Sequence, residues 1–151
     1  REIRTMKARV ESERLPRGAD PRTHLKLGRG GLTDVEWTVQ LLQLRHAHTV
    51  PGLRTPGTLA GLRAATEAGL VVAEESETLL AAYENASRLR NAILLWRGRP
   101  GDAVPADLRD ADGVGRIIGR EPGTGAELVE AYLRQSRRAR AVTETLFYAS
   151  E

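Results

Sequence analysis

The residues whose types and spacing best suit chemistry lie in HLKLGRGG, His24 to Gly31, where two cations and three glycines share one short turn. Gly28, Gly30 and Gly31 permit positive φ and a close backbone approach, and Lys26 and Arg29 set two positive charges beside them. A helix that begins directly after such a turn leaves its first N–H groups free. Loop, cations and helix end together favour an anion. Thr33 and Glu36 have the S/T-x-x-E spacing of a capping box, which predicts a helix starting at Thr33.

Other candidate groups are weaker. Asp34 and Glu36 point about 160° apart on a regular helix of 3.6 residues per turn, so they do not share one metal ion unless the first turn is distorted. Asp110 and Asp112 form a D-x-D pair, the spacing that holds Mg²⁺ in nucleotidyl transfer when it lies on a strand with Gly-Ser upstream. Neither condition is met here, and solvated carboxylates are the expectation. His46 and His48, two apart on a helix, point in different directions and read as surface or cap residues. No Ser-His-Asp arrangement and no P-loop spacing occurs, so the sequence offers no complete catalytic set.

The elements that must position these residues are helices. Leu32, Val35, Val39 and Leu42 fall on one side of the helix predicted over 33–48, and Trp37, Leu41 and Leu44 fall on the other. Two apolar stripes predict a helix packed on both sides at the centre of a bundle. Two narrow polar strips separate them: Thr33, Glu36, Gln40 and Gln43 on one, Asp34, Thr38 and Arg45 on the other.

Before the glycine turn, residues 1–13 read as a helix with Ile3, Met6 and Val10 as a thin apolar stripe, which suits a connector. Pro16 and Pro21 keep the following residues in a loop, and residues 24–27 alternate as a short strand whose partner is expected outside the chain. Beyond Pro51, a short helix from Thr58 to Ala68 closes at Gly69. A long helix covers 73–96, a Gly- and Pro-rich loop 97–105, a short helix about 107–119, and a final helix about 125–149 with Thr124 as its cap. Arg90 falls within the apolar face of the long helix. A guanidinium there needs an anion or a path to solvent, and the candidates are Glu36, Asp34, a bound phosphate, or snorkelling at the bundle edge. Arg134, Arg137 and Arg138 read as a solvated surface partly paired with Glu130.

Composition agrees with an all-α fold: a single helical bundle of five to six helices, with residues 1–14 as connector, 15–31 as basic glycine-rich loop and 32–151 as bundle. Leu, Ala, Glu and Arg abound, aromatics make up 4%, and 151 residues suit one domain. Without cysteine there is neither a disulfide framework nor a thiolate metal site. No apolar run approaches ~20 residues and no signal segment opens the chain, so a cytoplasmic protein without membrane attachment is expected. The chain opens in helical register without Met, which suggests a piece of a longer protein. Residues 1–31 hold nine Lys/Arg against four Asp/Glu, so the basic excess gathers at the amino end of a chain whose net charge is +3.

KLGRGGLTDVEWTVQLLQLRHAH resembles the signature of the glutamine synthetase adenylyltransferase family, in which a Lys, a Gly-Gly turn, an acidic pair and a Gln follow in this order. The matching positions are Lys26, Gly30, Gly31, Asp34, Glu36 and Gln40, and RLRNAILLWRGRPGD, with Arg90, Gly98, Arg99 and Asp102, is similar to that family and to PII uridylyltransferases. Trp37 stands where the family usually has another aromatic.

The resemblance implies the helical domain of the second, adenylylating half of a two-half enzyme, with Thr33-Asp34 as the distinguishing pair. That enzyme transfers AMP from ATP to a tyrosine of glutamine synthetase, with Mg²⁺ held by a Gly-Ser…D-x-D domain upstream. The implied partners are that upstream nucleotidyltransferase domain, glutamine synthetase and the PII signal protein, with no nucleic acid and no membrane. The fragment alone is expected to be inactive and to hold neither Mg²⁺ nor ATP. Lys26, Arg29, Gly30 and Gly31 become candidates for the nucleotide phosphates or the joint between domains. Asp34, Glu36, Gln40 and Arg90 become orienting or structural polar residues, with Asp34 and Glu36 expected to orient the cations and Arg90. The alternative is a helical module that binds nucleic acid or protein through its basic amino end, which predicts salt-sensitive binding.

Overall fold

The computed structural model describes residues 2–148, and these form six α-helices: α1 (Glu2–Arg14), α2 (Leu32–His46), α3 (Thr58–Glu67), α4 (Ala73–Arg97), α5 (Leu108–Ile117) and α6 (Gly125–Thr143). A 3-10 turn, Pro51–Leu53, links α2 to α3, and a π-helical turn, Glu144–Tyr148, follows α6. The all-α expectation is met. Arg1 of the expected first helix and Ala149 of the expected last one lie outside the described residues.

Local chemistry explains most of the boundaries. Asp107 caps α5 through its side chain, which accepts from the N–H groups of Arg109 at 3.0 Å and Asp110 at 3.1 Å. α3 closes in a Schellman motif at Gly69: Leu70 N–H donates to Ala65 O and Gly69 N–H to Thr66 O. α5 closes the same way at Gly119, with Arg120 N–H donating to Gly115 O. Glu74 and Glu75 occupy the positive end of α4, and Gly98 terminates it in the left-handed region. Thr124 sits at the N-cap of α6, but its hydroxyl donates to Glu121 O and makes no cap bond.

Helix α4 packs against α2, α3, α5 and α6, and α6 packs against α2, α4 and α5. One core cluster joins Leu25 and Leu32 to Leu89, Ile93, Val114 and Leu128; a second joins Val35 and Val39 to Leu62, Leu79 and Ala139. A third, smaller cluster holds Leu42, Leu53, Ala65 and Val71. Gly125 lets the start of α6 press on α5, since a Cβ there would stand 2.7 Å from Asp112 N and Leu108 O. No helix among the described residues is long and apolar enough to cross a membrane.

Three expectations about the centre of the chain change. α2 does not carry two buried apolar stripes: Leu41 is buried, but Trp37 is half-buried and Leu44 is 69% exposed. The helix buries one broad arc instead, which takes in Asp34 and Thr38 together with Leu32, Val35, Val39 and Leu42. The capping box does not form either. Gly31 is the N-cap and Thr33 N–H donates to Lys26 O at 2.9 Å. The extended segment at 24–27 finds its partner within the chain, through a single antiparallel bridge between His24 and Ala103. Leu25 N–H donates to Asp102 O and Val104 N–H to Thr23 O, so the Gly- and Pro-rich loop after α4 closes over the glycine turn.

Candidate functional site

The glycine turn is held from inside. Leu25 is fully buried, and its carbonyl accepts from Leu32 N–H at 2.9 Å. With Thr33 N–H on Lys26 O and Asp34 N–H on Gly31 O at 3.2 Å, the first N–H groups of α2 are spent on the turn itself. Gly31 N–H donates to Gly28 O, and Gly30 N–H donates to the Asp34 carboxylate at 2.7 Å. The anion donors expected at this helix end are therefore engaged, and Lys26 and Arg29, both exposed, are the groups that the turn presents outward.

Only Gly30 of the three glycines has positive φ, at +72°. All three lie against this chain's own backbone. A Cβ on Gly30 would come within 1.9 Å of Ser136 O on α6, one on Gly28 within 2.3 Å of His24 O, and one on Gly31 within 2.6 Å of Leu25 O. The glycines thus let the turn seat on α6 and on itself.

Asp34 organises a buried charge cluster. One carboxylate oxygen accepts from Lys7 Nζ at 2.6 Å, and the other takes Gly30 N–H and faces Arg140 Nη1 at 3.2 Å. Lys7 is fully buried and also pairs with Glu11, one turn along α1. Arg140 bridges onward to Glu11 at 2.9 Å and Glu144 at 2.8 Å. The Lys7 ammonium lies 5.5 Å from the Phe147 ring centroid and 5.8 Å from that of Tyr148, within cation–π reach. Two cations thus meet three carboxylates, with aromatic rings closing one side.

Titration behaviour follows from this packing. Burial pushes the Asp34 carboxyl up, but the Lys7 charge and hydrogen bond, the Gly30 N–H and the Arg140 charge outweigh it and hold the group below the usual carboxylate range. Burial pushes Lys7 down, and the charges and hydrogen bonds of Asp34 and Glu11 reverse that into a net rise. His24, buried, is pushed below the usual imidazole range mainly by desolvation, and its Nδ1 accepts from Leu27 N–H at 3.0 Å.

The remaining sequence candidates separate from this cluster. Arg90 meets neither Asp34 nor Glu36: its Nε donates to Asp102 at 2.5 Å, with the two side chains 36% and 37% exposed. The long helix carries Arg90 to the bundle edge, where the 98–106 loop supplies the carboxylate. Glu36 is half-buried and Gln40 exposed, both on the outer side of α2. Asp34 does not orient Lys26, Arg29 or Arg90 by contact; its cations are Lys7 and Arg140.

Asp110 accepts from Trp96 Nε1 at 3.0 Å and pairs with Arg97, while Asp112 accepts from Gly123 N–H, so the D-x-D pair serves local structure. Arg134 pairs with Glu130 as expected. Among the described residues no three His, Asp or Glu side chains gather as a metal site. Lys7, Glu11, Arg140 and Glu144 were not singled out from sequence. The signal available was the Asp34–Thr38 strip, a polar line between apolar ones on α2, which demands a cation once it is buried.

Fold and site together define an all-α domain that presents two cations on a glycine turn anchored by a buried carboxylate. The chain matches the family model described as GlnD PII-uridylyltransferase over residues 4–147, and it belongs to that family. It is 57% identical over 149 residues to the bifunctional glutamine synthetase adenylyltransferase/adenylyl-removing enzyme of Streptomyces coelicolor, a match covering 99% of this chain and 15% of that protein. The proteins of the same name from Streptomyces avermitilis and Mycobacterium avium are 55% and 54% identical over 99% and 97% of this chain, again 15% of their own lengths. The resemblance carried by Lys26, Gly30, Gly31, Asp34, Glu36 and Gln40 thus extends along nearly the whole chain.

Proposed function

We propose that this chain is the helical domain of a bifunctional glutamine synthetase adenylyltransferase and serves its adenylylating half, beside a nucleotidyltransferase domain that moves AMP from ATP to a tyrosine of glutamine synthetase. The observation that carries this reading is identity above one half, sustained over 99% of the chain, to an enzyme of that name. The chain corresponds to 15% of the length of those relatives, and on this reading it does not transfer AMP by itself.

Such a transfer draws on Mg²⁺. The residues here do not fit the ion, because Asp110 and Asp112 are engaged by Trp96, Arg97 and Gly123, and no step through a metal is assigned to this chain. Lys26 and Arg29 do suit the polyphosphate of ATP or an acidic surface of the neighbouring domain. Charge that develops on phosphate oxygens during transfer is stabilised by cations fixed in advance, and the internally bonded turn holds this pair without reorganisation. Glutamine synthetase and the PII signal protein are the protein partners of this reading, and the cytoplasm is its compartment.

The test uses the longer polypeptide that contains this chain, with glutamine synthetase and α-labelled ATP. Lys26→Ala lowers the rate of AMP incorporation about tenfold or more while the melting temperature stays within error, since an exposed lysine contributes little to stability. Equal loss of rate and stability would make the turn purely structural. AMP transfer by the 151-residue chain alone would overturn the assignment of chemistry to another domain.

A further inference from the structure

Helix α1 is attached to the bundle in an unusual way. Lys7 is its one buried residue; Ile3 and Val10 are half-buried and Met6 is 56% exposed. None of the other helices packs closely along it. Between its second half and the glycine turn runs a groove of about 560 Å³, lined by Glu11, Ser12, Leu15, Arg17, Leu27 and Arg29. The charge cluster ties α1 to the rest, through Lys7 on Asp34, Glu11 on Arg140, and the Lys7 ammonium against the Phe147 and Tyr148 rings. The same Asp34 carboxylate holds Gly30 N–H, so one group is shared by the arm and the turn.

We propose that α1 is a docking arm latched by the Lys7–Asp34–Arg140 cluster, and that Asp34 couples the arm's docked state to the geometry of the turn that carries Lys26 and Arg29. The inference goes beyond the transferase reading and does not rest on it. A helix of this length is marginal in water once undocked, so release of the latch melts α1 while the apolar bundle persists. Asp34 then loses Lys7 and keeps Arg140, which reaches its two oxygens at 3.4 and 3.2 Å, and the carboxylate turns about that remaining cation. That movement loosens the Gly30 hydrogen bond and frees the two exposed cations to change position.

Amide hydrogen exchange, read residue by residue by NMR on the 151-residue chain, tests both halves of the proposal. In Lys7→Met, which keeps side-chain length and helix propensity, the amides of residues 6–14 and of Gly30 exchange about tenfold faster or more, while those of α4 and α5 stay within about twofold. Unchanged α1 exchange, or an equal acceleration in every helix, overturns the latch. Faster exchange in α1 with Gly30 unchanged overturns the coupling, and absence of protection in wild-type α1 overturns docking altogether. Glu11→Gln, at a partly exposed position on the same arm, provides the reading if Lys7→Met does not fold. It accelerates α1 and Gly30 in the same direction by a smaller factor, and no change in α1 counts against the proposal.

Discussion

Asp34 is the residue on which the polar interior depends. Its carboxylate is buried with two cations, and such a pair gives little net stability relative to a hydrophobic substitute yet costs heavily when one member is removed. Asp34→Asn keeps the shape and removes the charge, which leaves buried Lys7 with Glu11 alone as its ion-pair partner among the described residues. The expected loss is about 3 kcal/mol, read as a shift in the urea midpoint. Asp34→Asn combined with Lys7→Met regains part of it, because no stranded ammonium remains; a double variant as unstable as the sum of the singles would show that the two residues do not interact.

The pH dependence has a definite sign. The Asp34 pKa is depressed on folding, so its contribution is present above the unfolded carboxyl value of about 3.9 and disappears as pH falls through the lower folded value. The Lys7 pKa is raised, so its contribution is present below the unfolded value of about 10.4 and disappears as pH rises through the higher folded one. Between these windows neither group adds a slope, the depressed His24 pKa makes stability rise as pH increases through the imidazole range, and Asp34→Asn flattens the acid limb selectively.

At the scale of elements, glycines with the same sign of φ carry different costs. Gly30 and Gly98 both lie in the left-handed region, but a Cβ on Gly98 meets open space while one on Gly30 runs into the α6 backbone at Ser136. Gly98→Ala therefore costs about 1 kcal/mol from conformation alone. Gly30→Ala adds overpacking against a helix backbone that cannot give way and costs about 3 kcal/mol or more. Thermal melts of the two variants check this, and similar losses would show that the turn is not seated on α6. The distinction is invisible in sequence.

What sequence does reveal here is periodic: α3, α4, α5 and α6 follow from apolar spacing and from glycine or proline punctuation at Gly69, Gly98 and Pro105. Failures occur where long-range contacts override a local rule. Thr33 and Glu36 have capping-box spacing, but the turn's own carbonyls at Leu25 and Lys26 reach the helix N–H groups first. Arg90 was legible as a charge needing an anion, and its partner came from a loop 12 residues away. Lys7 was hidden because lysine on a charged helix reads as solvated. Its partner stands 27 positions off, and the second cation on that partner a further 106 away, at Arg140.

For the whole molecule, the basic amino end decides between a nucleic-acid module and a domain that works against another protein surface. Nine Lys/Arg in the first 31 residues suggest an electrostatic footprint, but the structure withdraws several from solvent or neutralises them. Lys7 is buried on Asp34, Arg9 pairs with Glu13 at 2.8 Å, and Arg22 makes a two-pronged contact with Asp20. Stacking platforms are scarce as well. Trp96 presses on Gly113 and donates to Asp110, and Trp37 is half-buried. Non-specific affinity arises mainly from cations that displace counterions along a phosphate backbone, helped on single strands by aromatic faces. The turn presents Lys26 and Arg29, with exposed Arg17 in the same groove as Arg29, a short basic patch that suits one phosphate group or one acidic side-chain cluster better than a polyanionic track. Titration of the chain into labelled single-stranded RNA at roughly 0.1 M salt is therefore expected to show only weak binding, at about 0.1 mM or above. Saturation near 1 μM with a steep loss of affinity on raising salt would make nucleic acid the partner and remove the reason for assigning the two cations to a neighbouring transferase domain.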